Sequence, residues 1–252
     1  MKIEHAFILY IDTPDAVKYM EECKASCIEH NIPFTTFLNF KYPVHIPEVN
    51  RMTGFRIDER LEHAQFDYRE TFIKEQLCLI GHLGIWRHAI QNMKLNAFAV
   101  MEHDAIVKRN FMDIDVVDMK ITFLGYRVDH RDDYECPDDP FVKYDVPKFE
   151  GTHAYAITAQ TANAALTMFE SLPHFPVGVS IDHYMGVYQK FGLPMDVVDP
   201  APVIVPMEKK VSHTQPEGIA GRYNMMPHQG FMKGLKHKNK YTYDPSENYL
   251  RF

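Results

Sequence analysis

The chain has 252 residues, which is enough to bury a large core without disulfide or metal staples. Its 46% hydrophobic and 24% charged residues are ordinary for a globular protein, and the formal net charge of −7 excludes a general electrostatic attraction to nucleic acid. The four cysteines form no Cys-x-x-Cys pair, which argues against a zinc ribbon and for reduced thiols.

The first forty residues predict a βαβ unit. The apolar run 6–11 is typical of a strand buried on both faces, and Thr13 and Pro14 suit the N-cap and first turn of a helix. Residues 34–38 predict a second strand, parallel to the first through a right-handed crossover. Asp12 and Thr13 follow the first strand, so they either meet a nucleotide at the sheet edge or only cap the helix.

The middle of the chain predicts an irregular segment, a helix and a buried strand. Residues 40–70 show no clear period, whereas apolar residues recur at helical spacing over 79–93. The run 97–101 predicts a strand, and Glu102, His103 and Asp104 follow it at once. If the strand continues, the carboxylates of Glu102 and Asp104 face one ligand, as in a metal–phosphate site. An acidic turn without a ligand is the alternative.

The second half predicts further strands and helices around one insertion. Residues 121–124 suit a strand that ends at Gly125, and 126–150, rich in Asp and Pro, suit a solvated insertion. A strand at 153–157 with a helix behind it, another helix from 180, and strands at 197–198 and 203–205 complete the pattern. We expect a Rossmann-type open α/β sheet, mostly parallel with helices on both faces, over residues 1–215, and a basic, aromatic tail over 216–252.

Several enzyme motifs are absent from the sequence. Neither G-x-G-x-x-G nor G-x-x-x-x-G-K-[ST] occurs, which removes the main support for dinucleotide and P-loop folds. Cys78 and His82 lie one helical turn apart, but their apolar neighbours favour a core position over a thiol nucleophile. No apolar run of about 18 residues and no signal-peptide pattern is seen, so we expect a soluble, cytoplasmic protein without a transmembrane segment.

The order of four segments resembles glycosyltransferase family 25, which makes lipopolysaccharide-type and collagen-type glycans. Residues 75–86 resemble its Cys-x-x-Ser-His-x-x-x-Trp helix, and 100–104 stand where it has a strand ending in Glu-Asp-Asp. Its Gly-Thr-x-x-Tyr-x-Ile stretch is matched by Gly151, Thr152, Tyr155 and Ile157, and its Pro-Val-x-Asp loosely by Pro176, Val177 and Asp182. Gly81 departs from the usual Ser, and His103 from the usual middle Asp.

The resemblance implies a GT-A fold and an inverting transfer of a hexose from a nucleotide-sugar, UDP-galactose or UDP-glucose, to a hydroxyl acceptor such as a glycan. It implies Mn²⁺ or Mg²⁺ held by Asp104, Glu102 and a late histidine, His213 or its rival His228, and a catalytic base at Asp182. Asp182 capping its helix is the alternative. The positions expected to bind the nucleotide-sugar are Asp12 and Thr13, from their place at the end of the first strand, together with His82, Glu102, His103, Gly151 and Thr152 of the matched segments.

Three other functions stay open at this point. Lysines and tyrosines of the tail suit a single-stranded nucleic acid, so the acceptor is alternatively a modified nucleic-acid base. A metal-dependent phosphoesterase would need a second cluster of carboxylates or histidines to hold two ions. A protein that binds a sugar-nucleotide without catalysing transfer would explain why His103 stands in place of the usual middle Asp.

Overall fold

The computed structural model describes residues 1–63, 69–128, 130–146, 153–175, 181 and 194–206. The helices are α1 (Pro14–Glu29), α2 (Ile46–Thr53), α3 (Arg69–Gln91) and α4 (Ala159–Ser171), with short 3-10 turns at Glu59–Glu62 and Arg131–Asp133. The strands are β1 (His5–Tyr10), β2 (Phe34–Leu38), β3 (Ala97–Glu102), β4 (Ile106–Val107), β5 (Ile121–Phe123), β6 (Gly125–Val128), β7 (Val142–Val146), β8 (Ala154–Thr158), β9 (Met195–Asp199) and β10 (Val203–Pro206).

Seven strands form one open sheet in the order β2-β1-β3-β8-β5-β9-β7. Strands β1, β2, β3, β5 and β9 run in the same direction, and β7 and β8 run against them. The predicted mostly parallel α/β sheet is therefore confirmed. The reversal of β8 matters for function, because its first residue lies at the edge where β3 ends.

Helices cover both faces of this sheet, as predicted. Phe7 and Phe98 pack with side chains of α3 and α4 on one face, and Ala6 and Ile8 pack with side chains of α1 on the other. Side chains of successive strand residues point to opposite faces of the sheet. A strand covered by helices on both faces therefore has a continuous run of apolar residues. This is why β1 and β3 were recognisable in the sequence.

The start of the chain folds as the sequence predicts. The hydroxyl of Thr13 accepts a hydrogen bond from the Ala16 N–H at 3.3 Å, which caps α1 ahead of Pro14. Asn31 follows the last turn with φ 54°, a left-handed conformation that asparagine tolerates. Strand β2 then pairs with β1 in parallel.

Two segments differ from the prediction. Residues 40–70 were expected to be irregular, but they contain α2, which has only eight residues and is too short to display a period. Residues 126–150 were expected to form a solvated insertion, but β6 and β7 lie within them, and Tyr126 and Tyr134 are buried. Asp132, Pro137 and Asp138 lie in the connection between β6 and β7.

A second sheet of three strands, in the order β4-β10-β6, lies beside the first. Gly125 begins β6, whereas the sequence suggested that it ended a strand. A Cβ atom at Gly125 would lie 3.2 Å from the Cβ of Ala154, so glycine permits the close approach of β6 to β8. This approach carries Arg127 of β6 toward the beginning of β8.

Two further expectations concern the chain as a whole. Cys23, Cys27, Cys78 and Cys136 are free thiols, and the first two are buried on α1. Among the helices in the described ranges, none combines the length and the apolar character that crossing a bilayer requires.

Candidate active site

The candidate active site lies where β3 ends, at the edge of the central sheet. Glu102 is the last residue of β3, and its backbone N–H donates to the carbonyl oxygen of His153 at 2.8 Å. His153 immediately precedes β8 at the same edge. The parallel neighbour β1 also ends at this edge, and ligands of open α/β sheets bind at such carboxyl ends.

The strand does not continue past Glu102, so strand alternation is not what brings Glu102 and Asp104 together. His103 and Asp104 form a turn in which the Ala105 N–H donates to the Glu102 carbonyl oxygen at 3.1 Å. The turn still brings carboxylate oxygens of Glu102 and Asp104 and a ring nitrogen of His153 within 4.8 Å of one another. The two acids therefore meet, but by a turn and not by strand periodicity.

His153 faces Glu102 as a hydrogen-bond donor. The Nε of Arg127, which can only donate, lies 2.6 Å from Nε2 of His153, so Nε2 must accept. In a neutral imidazole the proton is then on Nδ1, and Nδ1 lies 3.4 Å from Oε2 of Glu102. Because guanidinium stays charged, this assignment holds wherever the contact with Arg127 persists.

A second histidine faces the other oxygen of Glu102. His82 of α3 is fully buried, and its Nε2 lies 3.8 Å from Oε1 of Glu102. Its Nδ1 lies 2.9 Å from the hydroxyl of Tyr155, which also accepts a hydrogen bond from Nε1 of Trp86 at 2.8 Å. Cys78, one turn before His82, adds a sulfur atom within 4.8 Å of the same ring and of the Glu102 carboxylate.

The surroundings of Glu102 determine its charge. Burial raises the pKa of its carboxyl, but the facing imidazoles of His153 and His82 outweigh burial and hold this pKa well below its usual range. Glu102 is consequently an anion at neutral pH, with one imidazole beside each oxygen.

The donor set fits a hard divalent cation in part. Carboxylate oxygens of Glu102 and Asp104 are the ligands that Mn²⁺ and Mg²⁺ prefer. His153 does not fit as a third ligand while Arg127 occupies Nε2, because its remaining nitrogen carries a proton. In this arrangement His153 and His82 would orient the ligating carboxylate of Glu102.

The other residues proposed from the sequence fall into two groups. Asp12 is exposed just after β1, Thr13 caps α1, and His103 is half-buried in the turn after β3. The remaining predicted positions lie outside the described residues: Gly151, Thr152, Asp182 and His213.

The comparison with solved structures finds a glycosyltransferase among its matches. No family model matches the chain, and no curated protein matches it. The chain is similar to a glycosyltransferase involved in the glycosylation of the major capsid of PBCV-1, with 13% identity over 83% of this chain and 95% of that chain. The TM-score is 0.40, at which the two backbones share too little for a conclusion about activity.

Sequence reasoning missed two residues of the site. His153 follows the Gly151-Thr152 pair directly, but its place beside Glu102 depends on β8 running against β3. Arg127 lies in the segment that the sequence suggested was a solvated insertion. A strand signal at 125–128 is the only clue that would have found it.

Proposed function

We propose that the chain is an inverting, metal-dependent glycosyltransferase that moves a hexose from UDP-galactose or UDP-glucose to a hydroxyl acceptor, a glycan. One observation carries the proposal. His82, Trp86, Glu102 and Tyr155 come from three separate segments of the family resemblance, and they contact one another in a row. This is the behaviour expected of motifs that serve one site, and the row ends at the sheet edge where nucleotides bind in open α/β folds.

The chemistry demands negative ligands and a divalent cation. Breaking the anomeric bond leaves the electron pair and a growing negative charge on the diphosphate. A cation held by Asp104 and Glu102, with His213 as third ligand, would stabilise that charge by several kcal/mol. Because Glu102 is an anion at neutral pH, its affinity for a cation needs no proton release.

The acceptor side needs a base. In our proposal the carboxylate of Asp182 takes the proton as the acceptor oxygen attacks the anomeric carbon opposite the leaving group, which inverts that centre. General-base help of this kind contributes about 10²- to 10⁴-fold in rate. Asp12, Thr13, His103, Gly151 and Thr152 are proposed to contact the nucleotide-sugar.

His82 belongs to the donor site only indirectly in this proposal. Its ring is fully buried, so it acts on the donor through Glu102 and not by touching it.

The test is transfer of sugar to a glycan panel from UDP-galactose and UDP-glucose, with and without Mn²⁺. Asp104→Asn should abolish transfer at saturating Mn²⁺ and leave the thermal midpoint nearly unchanged. Asp138→Asn is the control, because Asp138 is an exposed acid that belongs to neither group of potential metal ligands. Wild-type turnover in Asp104→Asn would refute the metal role, and no transfer from either donor by the wild type would refute the proposed reaction.

A metal-dependent phosphoesterase is the second candidate, since one observation favours it. Cys78 and His82 form a second group of ligand atoms that shares Glu102 with the first. Two ions bridged by one carboxylate are typical of phosphoester hydrolysis. Release of UMP and sugar 1-phosphate from the nucleotide-sugar, without sugar transfer, would identify this activity.

A further inference from the structure

A row of buried polar side chains reaches Glu102 from the core. Trp86, Tyr155 and His82 each have no exposed surface. Nε1 of Trp86 lies 2.8 Å from the Tyr155 hydroxyl, and the same hydroxyl lies 2.9 Å from Nδ1 of His82. The ring of His82 stacks on that of Tyr155 with centroids 5.7 Å apart, and its Nε2 faces Oε1 of Glu102.

The donors and acceptors in this row have a preferred direction. An indole N–H only donates, so the Tyr155 oxygen accepts from Trp86. The hydroxyl proton of Tyr155 can then be donated to Nδ1 of His82, which leaves the imidazole proton on Nε2. That nitrogen lies 3.8 Å from Oε1 of Glu102, so its N–H faces the carboxylate at a distance somewhat longer than a hydrogen bond.

Packing alone does not account for this row. Apolar side chains of similar size would fill the space without the cost of burying polar atoms. Within the described residues, the Nε2 of His82 is buried without a hydrogen bond and faces the negatively charged carboxylate of Glu102 at 3.8 Å. On the opposite side of the carboxylate, the hydrogen bond from Arg127 to Nε2 of His153 leaves the proton of that ring on Nδ1. Each oxygen of Glu102 therefore faces one imidazole N–H.

We propose that Tyr155 and His82 are positioning residues for Glu102, with Trp86 setting the direction of the Tyr155 hydroxyl. The inference rests on the proposed function, because it assigns Glu102 the orientation in which it serves the donor site. Supporting contacts of this kind change metal affinity or activity by about 10- to 100-fold when removed. Trp86 and Tyr155 are thus part of the active site although neither reaches solvent.

The test removes one oxygen atom and keeps the ring. Tyr155→Phe should lower kcat about 10- to 100-fold and raise the Mn²⁺ concentration for half-maximal rate, with the acceptor KM nearly unchanged. Tyr134→Phe is a matched control, since Tyr134 is equally buried and its hydroxyl donates to the Ala201 carbonyl at 3.0 Å. Both variants lose a buried hydrogen bond. If these hydroxyls only stabilise the fold, both variants should be less stable than the wild type and neither should have a lower kcat.

A second measurement does not depend on activity. Imidazole ¹⁵N NMR of the wild type should show His82 protonated at Nε2, and Tyr155→Phe should change that signal while Tyr134→Phe leaves it in place. Two results would overturn the proposal: a wild-type proton on Nδ1 of His82, or wild-type kinetics in Tyr155→Phe. The first would instead favour a metal ligated by Cys78, His82 and Glu102. Should the NMR result hold while the wild type transfers no sugar, the proposed function fails and the role of the row in orienting Glu102 stands.

Discussion

Gly81 and Gly84 lie in α3, and the structure predicts a loss of stability when alanine replaces Gly81 but little change when it replaces Gly84. A Cβ at Gly81 would lie 2.7 Å from Cγ of Asn39 and 2.9 Å from Cδ1 of Leu9. Ordinary carbon contacts are about 3.5–4.0 Å, so Asn39 has to move. Its amide donates to the Leu77 carbonyl at 2.9 Å, and movement weakens that bond.

The size of the effect follows from three contributions. Overpacking costs about 1–3 kcal/mol, and the weakened hydrogen bond costs up to about 1 kcal/mol. Alanine regains about 0.5–1 kcal/mol of helix propensity. We therefore expect Gly81→Ala to lower the free energy of unfolding by about 1–3 kcal/mol, which is a fall of about 2–4 °C in Tm for each kcal/mol in a chain of this size.

Gly84→Ala is the matched control in the same helix. Its Cβ would lie 3.3 Å from Cζ of Phe37, a ring edge that can shift by a few tenths of an ångström. We expect a change in stability within about 1 kcal/mol of zero, because the propensity gain offsets the close contact. Urea unfolding at 25 °C measures both variants. If Gly81→Ala is as stable as Gly84→Ala, the conclusion that α3 packs too closely against Asn39 to admit a Cβ atom at position 81 is wrong. The same contact explains why glycine stands where the resemblance has serine.

Three other perturbations have defined outcomes. Hydrogen bonds from Arg60 lower the pKa of Asp58 to about 2 from 3.8. The wild type should therefore be more stable than Asp58→Asn by its full margin above about pH 5, and this margin should disappear as the pH falls toward 2. A difference in unfolding free energy that stays constant across this range would contradict the prediction. Arg87→Ala should lower the free energy of unfolding in urea by about 1–2 kcal/mol, because the guanidinium of Arg87 lies 4.2 Å from the Phe55 ring centre. Arg87→Lys should recover only part of this loss. Thr13→Ala should lower the free energy of unfolding by about 1 kcal/mol, because the cap of α1 is lost. If calorimetry shows that this variant binds the nucleotide-sugar as the wild type does, Thr13 only caps the helix and does not contact the donor.

Much of the central sheet and its helices was predictable because the signals are local. Strand β2 agrees residue for residue with the predicted 34–38, and β1 and β3 agree to within a residue at each end. Helix α3 was also found, although it begins at Arg69, ten residues before the apolar recurrence that revealed it. Its first part has polar residues on several sides, so periodicity could not mark where it starts.

The sequence pointed to Glu102, Asp104 and His82, but not to the way in which they meet. Glu102 and Asp104 were found from their place after a buried strand, although the turn that joins them was not. The residues that surround Glu102 come from α3, β6 and β8, and no spacing along the chain relates them. The predicted roles of Asp182, His213, Gly151 and Thr152 stay predictions.

The sequence by itself determined the longer strands and helices of the central sheet, because burial on one or both faces leaves a period in the apolar residues. It also determined that two carboxylates follow the strand β3. Only the tertiary structure decided that β8 runs against β3, and this direction brings His153 to Glu102. Strand direction depends on long-range pairing, which leaves no local trace in the order of residues. The proton positions around Glu102 depend in turn on Arg127, Tyr155 and Trp86, whose contacts exist only after the sheets and α3 have packed together.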